Sequence, residues 1–180
     1  MEEHGFENKP PSAVDVARRA AILKHQFVHV ATTPGRELVR QLSAQWSDVD
    51  RRKFTAAIEE NRRHLVDELR SSGLWEGTSP SERAIFEYPP LQLTDRQIID
   101  TSWRAEALGC LVWALGLLDR LPTYDTQMDP KQVLPLITVN EVGAFVRDAT
   151  LRPSSEIERA RDVAELWQWR SRTRELQEKR

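Results

Sequence analysis

Apolar residues recur along this chain at steps of three and four, the period of one helix face, in segments separated by Pro, Gly and Ser/Thr signals. After Pro10 and Pro11, Ser12 is placed to cap a helix whose Val16, Ala20, Leu23, Phe27 and Val30 form one stripe ending near Thr32. Thr33 and Pro34 read as the cap and first position of a second helix, continued by Leu38, Leu42 and Trp46. A third begins after Ser47 and stops at Gly73, a highly charged surface helix with Phe54, Ile58, Leu65 and Leu69 inward. Ser79-Pro80-Ser81-Glu82 joins a cap, a proline at the first helical position and a carboxylate three residues on, a capping box whose helix is closed by Pro89 and Pro90. Thr94 and Gln97 offer another box. The helix it opens, roughly 95–119, is apolar nearly all round from Ala107 onward and must be surrounded by others. Asp129-Pro130 opens a short helix around Val133 and Leu136, a further one covers 141–149, and Ser155 with Glu158 caps a long last helix from about 156.

The alternation that would indicate a sheet is not found. The best strand candidate, LPLITVN at 134–140, is isolated and carries Pro135. The predicted fold is all-α, a bundle or orthogonal array of about seven to eight helices around the central apolar helix 95–119. A chain of 180 residues accommodates one domain better than two, so the expected organisation is a polar tail over 1–11 and one helical domain over 12–180.

Charge narrows the partners. Lys and Arg number 26 against 28 Asp and Glu, a formal charge of -2, which gives no positive field for a phosphate backbone. The basic concentrations at Arg62 and Arg63 and at Arg172, Arg174, Lys179 and Arg180 are interleaved with Glu59, Glu60, Glu175 and Glu178, the pattern of a solvated helix. Nucleic acid is therefore not expected as a partner. The apolar run 108–118 is too short to span a bilayer, so neither is a membrane, and the acidic, polar start is no secretory signal. A single cysteine, Cys110, suits a reducing compartment, and the expected location is cytoplasmic.

Three segments taken in order, PPSAVDVARRAAILK, then GLWEGTSPSERAIF leading into SWRAEALGCLVWALGLLDRLP, then LRPSSEIERARDVAELWQWRSRTREL, resemble the bacterial domain of unknown function 4272 family. The likeness covers most of residues 10–176, and S-W-R-x-E-A-L followed by L-x-W-A-L-G-x-x-x-x-L-P is its most specific part. It implies a bacterial, mostly helical domain and brings no activity, substrate or cofactor with it. Family members usually continue past the W-R-x-R helix, so the resemblance implies a chain that is either naturally short or a fragment lacking that C-terminal segment.

The stretch ELWQWRSR, 165–172, holds the most conspicuous chemistry. On a helix turning about 100° per residue, Val163, Leu166, Trp167, Trp169 and Leu176 define a wide apolar arc with Arg170 near its middle. A guanidinium among tryptophans needs a carboxylate, carbonyls or an anion for its donors. Glu106 shares a face with Cys110, Trp113 and Leu117, so the reading here is a clasp in which Glu106 and Arg170 pair across the core, shielded by Trp103, Trp113 and Trp167. Arg104 competes for the same carboxylate. The alternative is a small-anion site or a motifless enzyme around Glu106, Arg104 and Arg170, with the loop 119–129 as its rim.

His25 and His29, spaced i, i+4, could face one metal ion, but no third ligand is apparent and they read as solvated, as does His64. Cys110 reads as an inert core thiol. The chain has no phosphate-binding glycine loop, H-E-x-x-H, C-x-x-C or G-x-S-x-G, so no cofactor and no catalytic residue is assigned. The functional expectation is a domain that binds a protein partner or a copy of itself, without chemistry of its own.

Overall fold

Serine and threonine caps set the helix starts. Ser12 with Asp15, Ser47 with Asp50, Ser79 with Glu82 and Thr94 with Gln97 each form a reciprocal capping box, the side chain of one residue taking the other's backbone N–H. The computed structural model describes residues 10–89, 91–121, 125–138 and 142–178. Among these it contains α1 (Ala13–Ala31), α2 (Arg36–Ser43), α3 (Asp48–Ser71), α4 (Pro80–Glu87), α5 (Asp95–Ser102), α6 (Arg104–Ala114), α7 (Pro130–Val133), α8 (Val142–Arg147) and α9 (Ser154–Glu178). Single 3-10 turns lie at Trp75–Gly77 and Leu134–Leu136, the second within the best strand candidate, and no strand forms among the described residues. The all-helical array is therefore what this sequence makes.

Its centre is α1 paired with α6. Ala17, Ala20 and Ala21 are completely buried, and their small side chains let α3, α4, α5, α6 and α8 all pack against the same helix. From α6, Leu108 and Val112 enter this core beside Phe86 of α4 and Leu69 of α3. Gly109 leaves room for Met128, since a Cβ there would sit 2.2 Å from the Met128 Cε. Val30, Ile85 and Leu93 form a second, smaller cluster.

The segment 95–119 is not one helix. It bends at Trp103, where the Ser102 hydroxyl donates to the Ile99 carbonyl at 2.7 Å, a bond that competes with the helical ladder. It then stops at Ala114 in a Schellman turn: Leu117 N donates to Val112 O at 3.1 Å and Gly116 N to Trp113 O at 2.9 Å, with Gly116 at φ 73°. The same turn ends α3 at Gly73, φ 69°, where the sequence predicts it. Thr33 does not cap α2. Its hydroxyl turns back to the His29 carbonyl at 2.7 Å and closes α1, leaving Gly35 as the N-cap.

The last helix is the least integrated. No described side chain of α9 is buried, and Ile157, Ala160 and Ala164 of its first half line a groove along α6.

A Cβ at Gly73 or Gly116 would meet nothing within 4 Å, so Gly73→Ala and Gly116→Ala should each destabilise by about 1–2 kcal/mol through the left-handed backbone alone. Urea midpoints should fall equally for the two variants.

Candidate functional site

The acid at the heart of the molecule is Glu82, not Glu106. As the third residue of α4, its side chain first serves the capping box, accepting the Ser79 backbone N–H at 2.9 Å. The fold then brings two arginines to the same carboxylate. Arg19 of α1 forks onto both oxygens, Nη1 donating to Oε2 at 2.9 Å and Nη2 to Oε1, and Arg104 Nη1 at the start of α6 donates to Oε1 at 2.6 Å. The Glu82 side chain is fully buried, while Arg19 and Arg104 each remain about one-third exposed (38% and 34%). Burial alone would raise this carboxyl, but the hydrogen bonds from Arg19 and Ser79 outweigh it and hold the pKa at about 2.

The clasp expected at Glu106 and Arg170 does not form. Glu106 accepts the Met128 backbone N–H at 2.8 Å and makes no ion pair with Arg104 or Arg170. Arg170 is exposed, as are Trp103 (58%) and Trp167 (46%), so this face of α9 is not carried into the core. Trp113 does meet an arginine, but a different one. Arg152 stacks over its ring at 5.1 Å, and the Arg152 side chain donates to the carbonyls of Trp113 at 2.8 Å and Leu118 at 2.9 Å, while its backbone N–H takes that of Ala114 at 2.8 Å. Arg152 thus caps the open carbonyl end of α6 and fixes the chain entering α9.

His25 and His29 are also corrected. Both are buried, 1% and 2% exposed, because α1 is enclosed on its polar side by α3 as well as on its apolar side. His25 Nδ1 lies 2.8 Å from the Ala21 carbonyl and Nε2 is 3.4 Å from the Glu68 carboxylate, while His29 stacks on Phe86. Beside them both amide atoms of the buried Gln26 lack a hydrogen-bond partner among the described residues. Burial lowers the pKa of both imidazoles, that of His29 to about 4. His64 is exposed as expected, 3.5 Å from Glu68.

A groove of about 760 Å³ runs between α6 and the first half of α9, lined by Glu106, Cys110, Trp113, Leu151, Arg152 and Ile157 among others. Leu121 and Thr126 of the 119–129 loop lie on its rim, as that loop's polar, turn-rich composition suggested; residues 122–124 fall outside the described residues. Cys110 is exposed here, not in the core, since α6 turns this face away from α1. Partial burial and the neighbouring Glu106 both raise its pKa, which keeps the thiol protonated and works against a nucleophilic role. Among the described residues no three His, Cys, Asp or Glu side chains are grouped to hold a metal ion, and no helix is long and apolar enough to cross a membrane.

What remains exposed and chemically distinctive is α9. Val163, Leu166, Trp167 and Arg170, spaced i, i+3, i+4 and i+7, form one stripe, with exposures of 40%, 58% and 46% for the three apolar members. Trp169, 66% exposed, stands to its side.

Removing the buried acid should be costly and removing the predicted one should not. Glu82→Gln leaves two guanidinium groups short of their counter-charge and should destabilise by about 3–5 kcal/mol, whereas Glu106→Gln keeps an acceptor for Met128 and should shift the melting temperature little. Acid should act in two stages. His29 is held below its ordinary value, so the unfolded chain binds protons first, and stability falls by up to about 3 kcal/mol as pH drops from 6.5 to about 4. Glu82 adds a second loss as pH falls from 4.5 towards about 2. Chemical denaturation across this range should show the first stage reduced but not abolished in His29→Gln, because burial lowers the pKa of His25 as well, and the second unchanged.

No curated protein and no solved structure matches the chain. The sequence profile of one family does, over residues 3–180, and with the helical architecture it settles the relationship: this chain belongs to the DUF4272 family, a domain of unknown function.

Proposed function

We propose that this domain acts by binding a protein surface through α9, without chemistry of its own. The observation that carries the reading is the exposed Val163, Leu166, Trp167 and Arg170 stripe. Trp and Arg are the residues most enriched among those that dominate binding energy at protein interfaces, and an i, i+3, i+4, i+7 row is the form in which a helix enters a partner's groove. The rest of the molecule supports this division of labour. Arg104 is engaged with Glu82 through Nη1, and Arg152 uses Nε, Nη1 and Nη2 at the end of α6, so the fork of Arg152 is not free for an anion. The groove at Glu106 and Cys110 lacks an activated nucleophile. A bacterial, cytoplasmic setting is part of the proposal: the bacterial part follows from the family resemblance, and the single cysteine suits a reducing compartment.

A photo-crosslinking residue placed at Leu166 in living cells should give an adduct of discrete mass. The same residue at Val49, equally exposed at 58% on α3, should give none. Equal labelling at both sites, or no adduct from position 166, would reject α9 as a binding surface.

A further inference from the structure

We infer that the occupant of this surface is a second copy of the chain, its α9 packed antiparallel to the first about a twofold axis. This deepens the reading of α9 as a binding surface and rests on it. The charge along the helix favours that partner. In the first half Glu156, Glu158, Asp162 and Glu165 outnumber Arg159 and Arg161, while from 170 to 178 Arg170, Arg172 and Arg174 outnumber Glu175 and Glu178. Such a gradient complements the dipole of a single helix. In a pair it does more: parallel packing sets like charge against like, whereas antiparallel packing sets each half against its complement, twice by symmetry.

The apolar stripe sits where the sign changes. Leu166 and Trp167 lie at the junction of the acidic and basic halves, so two helices crossing there bury their apolar contacts at the centre and carry their charges to the rim. With Leu166 on the axis, residues equidistant from it face each other, which brings Arg170 of one copy level with Asp162 of the other. Both side chains have solvent access: Asp162 is 64% exposed and engaged only at 3.4 Å with its neighbour Arg161, a surface pair that exchange for Arg170 would cost little to break. The stripe residues Val163 and Leu166 are exposed along the same side, so no element of the described body has to move to admit the second helix.

Sedimentation equilibrium on the full chain tests this. The expected result is a mass of twice 20.8 kDa at high concentration, dissociating on dilution and in high salt. Leu166→Asp should leave a monomer with native circular dichroism and an unchanged melting temperature. Arg170→Glu and Asp162→Arg should each weaken association on the order of tenfold or more, and combining them in one chain should restore most of it, because the pair is swapped and not lost. A monomer at every concentration, association untouched by Leu166→Asp, or no recovery in the combined variant would each overturn the inference. The crosslink from position 166 separates the two levels. An adduct at twice the chain mass agrees with self-pairing. A discrete adduct of any other mass, with a monomer by sedimentation, leaves α9 a binding surface and removes the second copy, while no adduct removes both.

Discussion

A carboxylate shut away from water holds the centre of this molecule together. Glu82 binds its own helix start through Ser79, α1 through Arg19 and α6 through Arg104, so three elements distant in sequence meet at two oxygens. Desolvating an ion costs several kcal/mol, and the cost is met here because both oxygens are saturated by charged or backbone donors. The arrangement fixes more than stability. A carboxylate that must face two guanidinium groups admits one orientation of α4 over the α1–α6 pair, a specificity that apolar packing by Phe86 and Ile85 would not impose alone.

That orientation has consequences outward from the core. With α1 packed against α3, α4, α5, α6 and α8, some of its polar residues are buried with the apolar ones, which is why two histidines and a glutamine sit inside and why the imidazoles resist protonation. With α6 held at its start by Arg104 and at its end by Arg152, the chain entering α9 is tied to the core helix at Arg152. The binding surface proposed for α9 is thus presented by the same arginine chemistry that stabilises the core, used at both ends of one short helix.

Much of this was legible beforehand, for reasons that are local. The capping boxes at Ser79 and Thr94 and the Gly73 stop depend on residues within five positions, and sequence displays them directly, whereas Ser155, expected as a cap, lies inside α9, which begins at Ser154. The Gly116 stop obeys the same chemistry but is embedded in apolar residues, whose continuity suggested one long helix. What sequence could not display was non-local choice. Ser79 and Glu82 were recognisable as a cap, yet nothing near them announces that Arg19, 63 residues away, shares the carboxylate. The misplacement of Arg170 has a different origin. Apolar neighbours were taken to imply burial, but the rule runs one way, since folded surfaces carry much apolar area, and a Trp-rich helix face can equally be kept for a partner. His25 and His29 fail in the opposite sense, polar residues carried inside because α3 packs against their side of α1.

The most direct test of this account is the ionisation of Glu82 itself, followed by carbon NMR of the labelled side-chain carboxyl as acid is added. A carboxylate held by Arg19 and the Ser79 backbone should stay charged until the pH approaches about 2, and should lose much of that resistance in Arg19→Ala. A midpoint near the ordinary 4.5, in a chain that is still folded, would contradict it.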